Sequence, residues 1–140
     1  MIRIQYVPTI NDNPNLAGLY VSSTQEIYVA RVGVEQIAKD YGISEDDAFD
    51  IVATHEMQHL KRGHHFYDAM PQEERFLYEH EAWFYGRSAY RDHPELLKVY
   101  DTEHIGILTG YGKNILGTAL FTSRMKGFEL MTGLEVPALS

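Results

Sequence analysis

The chain contains no cysteine among its 140 residues, which excludes disulfide bridges and every metal site built on thiolates. It also lacks an uninterrupted run of about 18 apolar residues, the length that a membrane-spanning helix requires. The first residues lack the apolar stretch of a secretory signal peptide. We therefore expect a cytoplasmic protein without a membrane partner, whose metal chemistry, if any, uses histidine, aspartate and glutamate.

Positive charge is scarce as well. Lys and Arg number 12 against 20 Asp and Glu, so the formal net charge is -8. Such a surface repels polyanions, and we expect no nucleic acid as a partner. A chain of 140 residues fits a single domain, residues 1–140, that can bury a core without covalent staples.

The order of local patterns predicts an α+β fold, with a small and mainly antiparallel sheet packed against helices. We expect strands at 2–7, 19–21 and 27–30, and helices at 34–41, from 44 to about 62, and at 72–91. The strand from Glu26 to Ala30 is the candidate edge for pairing an extended substrate. After residue 95, four glycines predict a loop, followed by a helix at 115–125 and an irregular tail: Gly106, Gly110, Gly112 and Gly117.

A pair of histidines in the second predicted helix has the spacing of metal ligands. His55, Glu56 and His59 form the pattern H-E-x-x-H. Residues i and i+4 lie on one helical face, so both imidazoles can reach one zinc ion, and the pair extends an apolar stripe through Ile51 and Val52. Glu56 is rotated to the flank of that face, where it can accept a proton from the attacking water. The spacing predicts Zn²⁺ on the two histidines and Glu56 as the general base.

A catalytic zinc site needs a third protein ligand, and the chain offers several candidates. These are Glu79, Glu81, His80, His64 and His65. Helical phase favours Glu79, which shares a face with Phe76 and Trp83, because a carboxylate on such a stripe is costly to bury unless it is paired or bound to metal. Glu81 lies on a less apolar face of the same predicted helix.

The two adjacent histidines leave a different arrangement open. His65 stands ten residues after His55, the distance that metzincins use, although Arg62 occupies the position where those enzymes have glycine. In the simpler interpretation, His64 and His65 belong to a solvated loop that follows the helix.

The succession of these patterns resembles the ImmA/IrrE family of small metallopeptidases, relatives of the minigluzincins. The matching segments are Gly18-Leu19-Tyr20, Glu26-Ile27-Tyr28-Val29, the H-E-x-x-H helix and Glu79-His80-Glu81-Ala82. The resemblance covers about residues 18–90, with an insertion around 34–43. It implies that Glu79, the first glutamate of the last motif, is the third zinc ligand. Trp83 stands where that family has Asn or Asp.

These observations predict a zinc-dependent metallopeptidase that hydrolyses peptide bonds in a protein or peptide substrate. The alternative, from another functional class, is a non-catalytic zinc-binding or helix-turn-helix regulatory module, because Gly42 and Ser44 form a corner between two predicted helices. Acidic residues on the second of these helices would repel phosphates. They are Glu45, Asp46, Asp47 and Asp50.

Overall fold

In the part of the chain that the structure describes, the strands precede the helices. A computed structural model describes residues 3–114, 125, 126, 128–130 and 133. The elements are β1 (Arg3–Val7), β2 (Gly18–Val21), β3 (Glu26–Ala30), α1 (Arg31–Tyr41), α2 (Glu45–Lys61), α3 (Gln72–Gly86), a 3-10 turn (Arg87–Tyr90) and α4 (Pro94–Asn114). The predicted α+β class is confirmed. Contacts group the chain into two compact units, Met1–Asp68 and Ala69–Ser140. Among the described residues, no helix combines the length and apolar character needed to cross a membrane.

The three strands form one sheet in the order β1-β3-β2. β2 and β3 are antiparallel, with Tyr20 opposite Ile27, as expected for a mainly antiparallel sheet. β1 instead runs parallel to β3, with Ile4 opposite Ile27. The sheet is therefore mixed, where the sequence predicted a mainly antiparallel one. A parallel neighbour needs a connection of about a dozen residues or more, and the segment that contains β2 supplies it.

The position of β3 corrects one prediction. Glu26–Ala30 is the central strand and not an edge, because β1 occupies the side that β2 leaves open. Ile27, Val29 and Ala30 are fully buried, as suits a strand with neighbours on both sides. The edges of the sheet are β1 and β2. A single apolar run does not distinguish a central strand from an edge strand, since the distinction depends on a partner far away in the chain.

Two helices complete the first unit. α1 begins directly after β3, three residues before the predicted start, and ends at Gly42, whose positive φ of 64° closes the helix in the left-handed conformation. Ser44 then caps α2, since its Oγ accepts the N–H of Asp47 at 3.1 Å. α2 packs against α1, β2 and β3. This packing turns one long stripe of α2 towards the sheet.

The second unit contains α3, the 3-10 turn and α4. The stripe predicted on α3 is confirmed, because Phe76 and Trp83 are buried, and Tyr90 in the following 3-10 turn is buried as well. Arg87 joins the turn to α4 through two hydrogen bonds to the Asp101 carboxylate, of 3.2 and 3.0 Å. These bonds raise the pKa of the Arg87 guanidinium, which stays charged.

The glycine-rich segment is helical as far as Asn114, which corrects the predicted loop over that range. Gly106 and Gly110 lie inside α4, each with open space where a Cβ would stand. Each glycine costs a helix about 1 kcal/mol relative to alanine. A stripe of fully buried side chains at Tyr100, His104 and Leu108 offsets that cost, since the spacing of four residues places all three on one face. The predicted helix at 115–125 lies largely outside the described residues, as do Gly117 and the tail after Gly133.

Candidate metal centre

The three residues of the H-E-x-x-H pattern are buried side by side on α2. His55, Glu56 and His59 are 6%, 5% and 1% exposed. The imidazole centroids of His55 and His59 are 4.8 Å apart, so the spacing of four residues brings both rings to one place, as predicted. Nδ1 of His55 lies 3.2 Å from Oε1 of Glu56. That contact occupies Nδ1, so a metal ion would meet His55 at Nε2.

Two aromatic rings fix the plane of His59. Tyr20, on β2, stacks on it with ring centroids 6.2 Å apart and an angle of 10° between the planes. Phe66 presents its edge to the same imidazole, with centroids 5.0 Å apart. Burial raises the pKa of the Tyr20 phenol, which is therefore uncharged at neutral pH. These contacts limit the rotation of the His59 ring without offering it a charge.

The end of α2 brings a further histidine to the site. Gly63 takes a positive φ of 67° and reverses the chain. The N–H of Gly63 donates to the Leu60 carbonyl at 3.1 Å, and the N–H of His64 donates to the His59 carbonyl at 2.9 Å. This pair of bonds is the Schellman motif, in which the second residue beyond the helix lies against the third residue from its end. His64 consequently meets His59, and their Nδ1 atoms are 2.9 Å apart.

His64 corrects the expectation of a solvated loop. It is only 4% exposed. Its neighbour His65 is exposed, as predicted, and its ring stacks on Tyr67. The signal that could have located His64 was in the sequence: a helix that ends at Gly63 in a Schellman motif places residue 64 beside residue 59.

The loop after α2 is tied to the sheet. Ser22, at the end of β2, accepts the N–H of Phe66 at 3.1 Å, and its hydroxyl donates to the Phe66 carbonyl at 3.3 Å. These reciprocal bonds hold Phe66 against the His59 ring. They also fix the segment that contains His64.

The general-base candidate lies directly beside β2. A Cβ added to Gly18 would stand 2.8 Å from Oε1 and 3.0 Å from Cγ of Glu56, and 2.7 Å from Cγ1 of Val52. Real Cβ atoms essentially never approach other atoms to less than 3.0 Å. Position 18 therefore has no room for a side chain while Glu56 keeps its place.

The candidate third ligands differ in their surroundings. Glu79 and Glu81 are both half-buried on α3, but Glu79 belongs to the buried stripe, whereas Glu81 shares a face with Leu77, which is 39% exposed. Nδ1 of His80 lies 3.0 Å from Nε2 of His104. One ligand atom each of His55, His59 and Glu79 lie within 4.8 Å of one another, and among the described residues this group is the one that could hold a metal ion.

The donor set fits zinc. Two imidazole nitrogens and one carboxylate oxygen are the ligands that catalytic zinc sites use, with the fourth position left open. No family model matches the chain, and no curated protein or solved structure matches it.

Proposed function

We propose that the protein is a zinc-dependent peptidase in which His55, His59 and Glu79 bind Zn²⁺ and Glu56 is the general base. The observation that carries this proposal is the convergence of three ligand atoms of the right types within 4.8 Å. The burial of Glu56 beside His55 supports it, because a carboxylate that is not a ligand but borders the ligands is what a general base requires.

The chemistry follows from these groups. A bound zinc ion supplies Lewis acidity, polarising the scissile carbonyl and lowering the pKa of water towards about 7. Glu56 accepts a proton from the attacking water as the new C–O bond forms. The same carboxyl group then passes that proton to the amine nitrogen as the C–N bond breaks. The walls of the site at Val52 and Gly18 keep Glu56 from bulk water.

The sheet suggests why the substrate is a peptide. β2 is an edge strand, and within the described residues it pairs with β3 alone. An extended peptide can add to such an edge through main-chain hydrogen bonds. Gly18 begins β2 and borders Glu56, so a peptide paired along this edge would pass next to the general base.

Glu56→Gln tests the proposal. Glutamine keeps the shape of the side chain but does not take up the proton, so we expect turnover of a fluorogenic peptide to fall by about 10²–10⁴-fold. Elemental analysis should still find about one zinc per chain, as in the untagged parent. Glu35→Gln, an exposed change on α1, is the matched control and should behave as the parent does. Unchanged turnover in Glu56→Gln would remove Glu56 from the mechanism.

The competing hypothesis of a regulatory module predicts another result. A non-catalytic zinc-binding protein would contain the metal yet hydrolyse no member of a broad peptide library. A helix-turn-helix module would bind DNA with an affinity that falls steeply with salt concentration. Zinc without turnover would contradict the peptidase proposal, and salt-dependent DNA binding by such an inactive protein would favour the helix-turn-helix module.

A further inference from the structure

The contact between His59 and His64 has chemical consequences for the metal centre. Their Nδ1 atoms are 2.9 Å apart, the ordinary length of an N–H···N hydrogen bond. Both side chains are buried, at 1% and 4% exposure. A neutral imidazole carries one proton on its two nitrogens, so in this contact one ring donates and the other accepts.

The direction of this bond decides whether His59 can bind metal. If His64 donated, Nδ1 of His59 would be the acceptor and its Nε2 would carry the proton, leaving no lone pair for an ion. We propose that His64 is a positioning residue: its Nδ1 accepts the Nδ1–H of His59, which leaves the lone pair of His59 on Nε2. The inference rests on the proposed function in so far as it takes His59 to be a ligand.

The local fold prepares His64 for this role. The Schellman motif at Gly63 fixes the backbone of His64 through its bond to the His59 carbonyl, so the two side chains meet without a long and flexible connection. The bonds between Ser22 and Phe66 fix the next turn of the loop. The hydrogen bond is consequently present before any ligand arrives, and it costs little entropy when metal binds.

A direct ligand role for His64 through the same atom fits the geometry less well. Two nitrogens bound to one tetrahedral zinc at 2.0–2.1 Å stand roughly 3.3 Å apart. The Nδ1 atoms of His59 and His64 are closer than that, at 2.9 Å. The separation is that of a donor and its acceptor.

Zinc affinities of His64 variants distinguish the positioning role of His64 from a direct ligand role. In competition with a chromophoric chelator, His64→Leu should bind zinc about 10–100-fold more weakly than the parent, because His59 loses its acceptor. His64→Asn should stay close to the parent, since the Asn Oδ1 can accept the same hydrogen bond. His65→Asn, an exposed change one residue away, is the matched control and should have no effect. Parental affinity in His64→Leu, or an equal loss in His64→Asn, would overturn the proposal.

A second measurement needs no metal. The ¹⁵N shifts of the imidazoles in the zinc-free full chain, at about pH 8, where ordinary imidazoles are neutral, report which nitrogens carry protons. We expect His59 protonated on Nδ1 and His64 on Nε2, and His64→Leu should abolish the preference of His59. Protonation of His59 on Nε2 in the parent would refute the positioning role. If the parent binds no zinc, the proposed function fails, whereas this measurement still decides which of the two histidines donates the hydrogen bond.

Discussion

Gly18→Ala tests whether close contact between β2 and α2 positions the general base. The added methyl group would stand 2.7 Å from Cγ1 of Val52 and 2.8 Å from Oε1 of Glu56. The backbone of position 18 accepts alanine, since its φ is not in the positive range. Any effect of the substitution on the folded state therefore comes from contacts made by one carbon atom.

The contacts can be relieved in two ways, with different consequences. Val52 is buried and β-branched, so moving it strains the packing, at about 1–3 kcal/mol. Replacing glycine restricts the unfolded chain and offsets about 0.4–1 kcal/mol of this. The net cost is then about 0–2.6 kcal/mol, so the melting temperature should fall by up to about 10 °C. Glu56 can move more easily, but a displacement of about 1 Å at a reacting group can lower kcat by about 10²-fold.

Calorimetry and turnover of a fluorogenic peptide measure the two effects on one sample. Zinc content should not change, because neither Val52 nor Glu56 is a proposed ligand. Gly106→Ala is the control: a Cβ there meets nothing within 4 Å, and alanine should stabilise α4 by about 0.5–1 kcal/mol. A Gly18→Ala protein with both the parental melting temperature and the parental kcat would refute the reasoning.

Three further results are expected. Glu79→Ala should lose most of its zinc affinity, since a ligand is removed from a site whose total binding free energy is about 10–16 kcal/mol. Glu81→Ala should bind zinc as the parent does in the same titration. Equal affinities in Glu79→Ala and the parent would overturn the ligand assignment. Free zinc at about 100 times its Kd should stabilise the parent by about 2.7 kcal/mol, and a chelator should abolish the resulting rise in melting temperature. A melting temperature that does not change when zinc is added would contradict a zinc site in the folded protein. Asp101→Asn should lower the free energy of unfolding, measured in urea titrations, by about 1–3 kcal/mol. The loss is smaller than for a fully buried ion pair because Arg87 is partly exposed. Unchanged stability would show that the Arg87–Asp101 pair contributes nothing.

Local patterns predicted the helices of the site well, because their signals lie within a few residues of each other. Ser44 caps α2 as its spacing to Asp47 indicates. The burial of His55 and His59 follows from their phase with the apolar residues before them. On α3, the same reasoning placed Trp83 on the buried stripe and Leu77 on a more exposed face, while the choice of Glu79 over Glu81, both half-buried, stays a prediction.

Two of the errors, the position of β3 and the helix through Gly106 and Gly110, have a common cause: they depended on partners distant in the chain. The sequence from Glu26 to Ala30 has the same composition whether one strand or two strands flank it, so the parallel pairing with β1 was not predictable from it. In α4, the glycines at 106 and 110 made the local sequence predict a loop, although the segment is helical. Packing of the stripe through Tyr100 and Leu108 overrides that local propensity.

The surroundings of His59 combine both kinds of information. Its position on α2 and its contact with His64 are local, because the helix and its Schellman ending determine them within six residues. Tyr20 and Phe66 come to the same ring through the sheet and the bonds of Ser22, which only the folded chain brings together. The H-E-x-x-H pattern therefore identifies which atoms could bind an ion. The orientation of the imidazole, and with it the nitrogen that is available for binding, depends on residues outside the pattern.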